Sequence, residues 1–244
     1  MKIAQINTGI LLTCVSLFFF LPSSFLNSLQ AQRIRGFVTA GTTLSQIEGD
    51  ELKGFEKWGF SGGVGAMVYL SKNEDWRLSI EALYSQRGSY NNSGDPYSIS
   101  LKLDYVDIPL MIHYRDPWGG MLVGLGLDYG RLVQQPHNVM RYNPNYFFPD
   151  TNDMTFLNND LMVVADIRFP VWKNLWLNIR WQHSLIAIKK DWEFSEFRGT
   201  TPLLDDSGNP VQNPDGSTVV VPRKVTWTNN CYNNSIAFRL IWQF

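Results

Sequence analysis

Few residues in this chain could perform acid–base, nucleophilic or metal chemistry. There are three histidines, His113, His137 and His183. His183 is followed directly by Ser184, but in an extended segment neighbouring side chains point to opposite faces, so the two cannot form a nucleophile–base pair. His113 falls near the end of an extended segment, and His137 lies in a connection with no nucleophile signature around it. A structural role is expected for each. No His, Cys or carboxylate set has metal-ligand spacing. The run Asp205-Asp206-Ser207-Gly208-Asn209 lacks the spaced ligands of a calcium loop and reads as a turn. No catalytic residue, metal or cofactor is assigned, and the chain reads as non-enzymatic.

The remaining charges are arranged by period rather than by motif. Arg77, Ser79, Glu81, Ser85 and Arg87 occupy alternate positions of one segment. Lys102 with Asp104, then Asp128, then Asp166 with Arg168, then Asn178 with Arg180 and Gln182, and finally Arg239 do the same in others. Each series shares its segment with an apolar series of opposite parity. If the polar faces meet inside a closed sheet, buried unpaired charge is costly, and a cross-strand network of ion pairs is expected.

The elements that position these charges are strands. Apolar or small residues fall on every second position in eight segments, starting with Ile34 to Leu44, Phe60 to Leu70 and Trp76 to Tyr84. The fourth runs Ile99, Leu101, Leu103, Tyr105 and resumes after Pro109 with Leu110, Ile112 and Tyr114. That change of parity beside a proline predicts a bulge. Met121 to Tyr129, Leu161 to Phe169, Leu175 to Trp181 and Ile236 to Phe244 complete the set. Connections alternate between short turns, as at Asp116 to Gly119, and long segments: Gln46 to Gly59, Gly88 to Ser98, Gln134 to Asn159 and Lys189 to Asn234. This asymmetry and the even count predict an all-β, eight-stranded antiparallel up-and-down transmembrane barrel with periplasmic termini and long outer loops.

Aromatic placement decides which solvent the barrel faces. Trp76 and Tyr84 bracket Leu78, Ile80 and Ala82 on one face, ~26 Å apart along the strand and ~20 Å along a tilted normal. Those spacings fit two interfacial girdles around a hydrocarbon layer. Trp118, Trp172 and Trp242 fall at or near the short turns, where a headgroup belt would sit. Apolar faces therefore meet outer-membrane lipid and polar faces meet the lumen. Eight strands leave room inside only for side chains.

Composition agrees. Aromatic residues make up 14% and charged residues 18%, the latter below the roughly 25% of soluble domains. The formal net charge of −1 excludes a polybasic nucleic-acid binder. Lys2, the apolar run Ile10 to Leu21 and Leu29-Gln30-Ala31 predict a secretory signal peptide over residues 1–31, leaving 32–244 as the barrel domain. Its removal would leave Cys231 as the one cysteine, so no internal disulfide is expected. At the other end, Phe238, Leu240, Trp242 and Phe244 alternate up to a terminal aromatic, which resembles the signal read by the barrel assembly machinery; that machinery is an expected partner.

A family resemblance is carried by several stretches: Ser45 to Asp50 with Gly59 to Gly63, Glu81 to Gly88, Tyr105-Val106-Asp107-Ile108-Pro109-Leu110, and Gly124 to Arg131. Together they resemble PorT-like outer-membrane barrels over nearly the whole mature chain, most weakly in the Gln134 to Asn159 and Lys189 to Asn234 segments. The resemblance implies an eight-stranded barrel linked to type IX secretion of proteases and adhesins, with other secretion components as partners. The alternative is a structural or adhesive surface barrel without a transport role.

Overall fold

A computed structural model describes residues 34–50, 54–71, 73–90, 99–135, 139–140 and 155–244. The expected signal peptide, His137 and most of the Gln134 to Asn159 connection lie outside these residues.

The strands in chain order are β1 (Ile34–Glu48), β2 (Lys57–Tyr69), β3 (Trp76–Tyr90), β4 (Ile99–Arg115), β5 (Leu122–Gln134), β6 (Val139–Met140), β7 (Asn159–Pro170), β8 (Leu175–Ser184), β9 (Lys189–Pro202) and β10 (Val220–Gln243). Neighbours pair antiparallel in the order β1-β2-β3-β4-β5-β7-β8-β10, and β10 pairs back onto β1, from Phe37 with Gln243 to Glu48 with Tyr232. The result is a closed eight-stranded barrel with no free edge at membrane depth, as a chain surrounded by lipid requires. The short β6 pairs with β4, and β9 pairs with β10 alone.

Alternation along β3 is strict from Trp76 to Ser85. Trp76, Leu78, Ile80, Ala82 and Tyr84 are exposed, while Arg77, Ser79, Glu81, Leu83 and Ser85 are buried. Trp76 packs on Tyr114 of β4, ring centroids 5.1 Å apart, as part of an aromatic ring at the short-turn end. By the usual asymmetry of such barrels that end is periplasmic.

The fourth strand corrects the sequence reading. Its register with β3 is the same on both sides of Pro109, pairing Trp76 with Tyr114 and Tyr90 with Ser100. There is no bulge at the proline; the one irregularity against β5 lies at Asp104/Tyr105. What changes is the chemistry of the faces. Leu101, Leu103 and Tyr105 point inward and are fully buried, whereas Val106, Ile108, Leu110 and Ile112 point outward. Beyond the lipid the strand has water outside and a dry core inside, so its apolar residues move to the inner face.

The Lys189 to Asn234 connection is also mostly strand. β9 and the first half of β10 form a two-stranded ribbon from Lys189 opposite Cys231 to Pro202 opposite Val220. Between its ends, Leu203, Val211 and Val219 hydrogen-bond in a ring through their backbones: 203 donates to 219, 211 to 203, and 219 to 211, at 2.8–2.9 Å. Two small hairpins, bridged at Leu204/Pro210 and Gln212/Thr218, complete the tip. The Asp205–Asn209 turn belongs to the first, with Asp205 Oδ1 accepting from the backbone N–H groups of Ser207 and Asn209.

Candidate functional site

The interior is filled in three layers. Phe37, Met67, Leu122, Trp176 and Ile241, from the strand ends beside the short turns, form an apolar floor. At the opposite end Ile47, Leu101, Leu103, Tyr105, Leu132, Phe156, Ile188, Trp192 and Cys231 form an apolar roof. Ionisable side chains occupy the space between.

The lower part of that charged layer centres on Glu81. Its Oε1 accepts from Arg168 Nη2 at 2.7 Å and Arg180 Nη2 at 2.8 Å, and its Oε2 from Arg239 Nη1 at 3.4 Å. Arg180 also reaches Asp166 Oδ2 at 3.0 Å. Asp166 shares a 3.0 Å hydrogen bond with Nε2 of the buried His113. Arg239 also donates from Nη2 and Nε to Asn178 Oδ1, at 2.6 and 3.0 Å. Each of these side chains comes from an inward position of its own strand, so the cluster ties β3, β4, β7, β8 and β10 together across the lumen.

The upper part centres on Arg87. Its guanidinium bonds Asp107 and lies 3.9 Å from Asp128 and 4.0 Å from Asp160. Gln182 donates to Asp128 at 2.6 Å; Ser184 and Asn233 donate to Asp160 at 2.9 and 2.8 Å. Cations also bridge the layers: Arg168 sits 5.4 Å over the Phe37 ring of the floor, and Arg87 5.0 Å over the Tyr105 ring of the roof. Glycines make room for this packing. A Cβ at Gly124 would overlap the His113 ring, and one at Gly65 the Phe37 ring.

Of the expected lumen residues, Glu81, Arg87, Asp128, Asp166, Arg168, Arg180 and Arg239 meet in these clusters. Arg77 is buried lower down, 4.7 Å over the Tyr69 ring, with Nε donating to Glu74 O. Lys102 and Asp104 do not belong to the lumen. They pair with each other at 3.4 Å on the outer face of β4, where Lys102 keeps half of its side chain in solvent. The same switch of faces that turns Leu101 and Leu103 inward turns these two outward. Sequence reasoning did not assign Asp107, His113, Asp160 or Asn233 to the network. Asp160 shares the parity of Asp166 and Arg168, and Asn233 that of Arg239, which was the available signal; Asp107 has the opposite parity to Lys102 and Asp104 and was hidden by their misplacement.

Phe238, Leu240 and Trp242 face outward, and the Phe244 ring lies against Gly36, whose carbonyl accepts the Phe244 N–H at 3.0 Å. His183 and Ser184 point to opposite faces. His183 stacks outside between Trp181 and Tyr232, at 6.0 and 6.5 Å, while Ser184 serves Asp160 inside. Among the described residues no group of three His, Cys, Asp or Glu side chains could hold a metal ion.

Solved structures with a similar course include Neisserial surface protein A, at 11% identity and a TM-score of 0.45, covering 86% of this chain and 97% of that one. The attachment invasion locus protein Ail of Yersinia pestis, in a complex with the heparin analogue sucrose octasulfate, follows at 10% identity and 0.42, covering 87% and 99%. OprG from Pseudomonas aeruginosa has 14% identity and 0.30, covering 86% and 94%. Curated protein sequences give no match. The family model described as outer membrane protein beta-barrel domain matches residues 15–205. On that match the chain belongs to the outer membrane protein β-barrel domain family, and its place is the outer membrane.

Proposed function

We propose that this barrel is a non-catalytic, non-conducting docking element of the outer membrane. The observation that carries this reading is a lumen closed by apolar layers at both ends, combined with a long ribbon that leaves the barrel on the opposite side from the short turns. A filled interior offers no route for solute, so function falls to surfaces that project from the membrane. The resemblance to PorT-like barrels gives the reading its finer form, a component accessory to type IX secretion that meets other secretion components through the ribbon and neighbouring loops.

A structural or adhesive surface barrel is the second reading. It is favoured by the exposed Leu203, Leu204 and Val220 at the ribbon tip, which could equally contact a surface outside the cell. Deleting the gene and assaying secreted protease activity separates the two. Loss of secreted activity, restored by the gene in trans, supports the accessory role. Unchanged secretion removes it and leaves the surface reading.

A further inference from the structure

At the periplasmic end, the turn between β4 and β5 and the turn between β7 and β8 enclose a cleft of about 470 Å³. Arg115, Trp118, Trp172 and Lys173 line it, with Trp176 of the apolar floor at its base. Trp118 is 96% exposed and Trp172 75%, more than any other described tryptophan. Two indoles so bare in the protein alone require a neighbour that accepts both an apolar ring and a polar N–H. Among the described residues no carboxylate lies within ion-pair distance of Arg115 or Lys173. The nearby Asp116 carboxylate instead accepts the Gly119 N–H at 2.6 Å.

Register gives the depth of the cleft. Trp242 is level with Leu175 of β8, and Trp76 with Tyr114 of β4; these exposed rings mark the inner edge of the lipid-facing band. Trp172 and Trp118 follow within a few residues. They therefore reach the headgroup layer, which extends ~6 Å beyond the hydrocarbon. The cleft therefore sets Arg115 and Lys173, which have no carboxylate partner among the described residues, at the level of the phosphates.

We propose that this cleft binds the headgroup of an anionic glycerophospholipid from the periplasmic leaflet. Arg115 and Lys173 take the phosphodiester, and Trp118 and Trp172 flank the glycerol and the first methylenes. An inorganic phosphate would satisfy the cations alone and leave both indoles uncovered.

The test uses the full barrel in a neutral detergent, titrated with phosphatidylglycerol and followed by native mass spectrometry. One phosphatidylglycerol is expected to stay bound. The double substitution Arg115→Gln/Lys173→Gln should weaken it about tenfold in a barrel whose heat-modifiable gel shift is unchanged. Millimolar inorganic phosphate should not displace it. Equal retention by the double variant overturns the proposal, and so does displacement by phosphate alone. Should the variant not fold, photoactivatable phosphatidylglycerol on the unaltered barrel decides the matter. Cross-links at residues 115–120 and 171–176 support the site, whereas cross-links confined to mid-strand positions overturn it.

Discussion

Glu81 and Arg168 stand 87 positions apart in the chain and 2.7 Å apart in the lumen, joining β3 to β7 across the barrel. Because Glu81 also receives Arg180 and Arg239, it is the anion shared by three buried guanidiniums, of which Arg168 and Arg180 reach Asp166 as well. Glu81→Ala should therefore destabilise the folded barrel by about 3–5 kcal/mol, the penalty for leaving buried charge uncompensated. Lys102→Ala removes an exposed pair and should cost less than about 1 kcal/mol. Urea unfolding of both variants in lipid vesicles, followed by tryptophan fluorescence, checks the contrast. Equal effects would sink the assignment of Glu81 as the hub.

The packing around His113 gives a second expectation. Any side chain at Gly124 meets the imidazole and lies 2.7 Å from Asp166 Oδ1, so the His113–Asp166 bond cannot survive unchanged. Gly124→Ala should destabilise by about 1–3 kcal/mol through overpacking. Gly208, at the ribbon tip, has open space around it, but its φ of +82° makes it a control for backbone strain rather than for packing. Gly208→Ala should leave the barrel transition where it is, since the tip makes its own hydrogen bonds.

The lipid-facing half of this fold was legible because the membrane imposes one chemistry on one face. Leu78, Ile80 and Leu110, Ile112 advertise their strands with no knowledge of partners. Outside the bilayer that rule lapses. Leu101 and Leu103 look like a continuation of the lipid face and are the inner core instead, and the misplacement of Lys102 and Asp104 followed from the same inversion. The lumen clusters were legible as a set of inward charges but not as pairs. Arg180 finds Glu81 from 99 positions away, a distance fixed by barrel closure and stagger rather than by local spacing. The ribbon was legible only in outline: the length of Lys189 to Asn234 and its Trp192, Phe194 and Phe197 suit an extended hairpin, but Pro202, Pro210, Pro214 and Pro222 mask where its strands begin and end.

A sealed lumen predicts electrical silence. Reconstituted into planar bilayers, the barrel should add no discrete conductance steps, because Phe37, Met67, Leu122, Trp176 and Ile241 close one end and the Tyr105 cluster the other. Stable open steps would contradict the layered interior.

Cys231 lies in the roof, beyond the lipid-facing part of β10. Burial, with the Asp50 carboxylate nearby, pushes its thiol up to about 12. A raised value means less thiolate at any working pH, so near pH 8 the reactive form falls roughly a thousandfold below that of a free thiol. The folded barrel should resist maleimide labelling, and unfolding in urea should release full reactivity. Rapid labelling of the folded form would show that the roof opens.

The last expectation concerns the ribbon. Residues 203–219 satisfy their own backbone groups through the Leu203–Val211–Val219 ring and the two small hairpins. The stem below is separately anchored: Trp192 meets the Phe156 ring edge-on at 6.0 Å within the roof. Replacing 203–219 by a two-residue turn between Pro202 and Val220 should therefore leave barrel stability within about 0.5 kcal/mol, as for other surface changes. If the tip is the docking surface, secreted protease activity should fall in cells whose shortened barrel still reaches the outer membrane at normal levels. Trp192→Ala is the complementary change, expected to cost about 3–5 kcal/mol by opening the roof while the tip stays in place. Secretion lost with the short tip and kept at reduced barrel level with Trp192→Ala would assign function to the tip. Secretion that tracks barrel abundance in both variants would assign the role to another surface of the barrel.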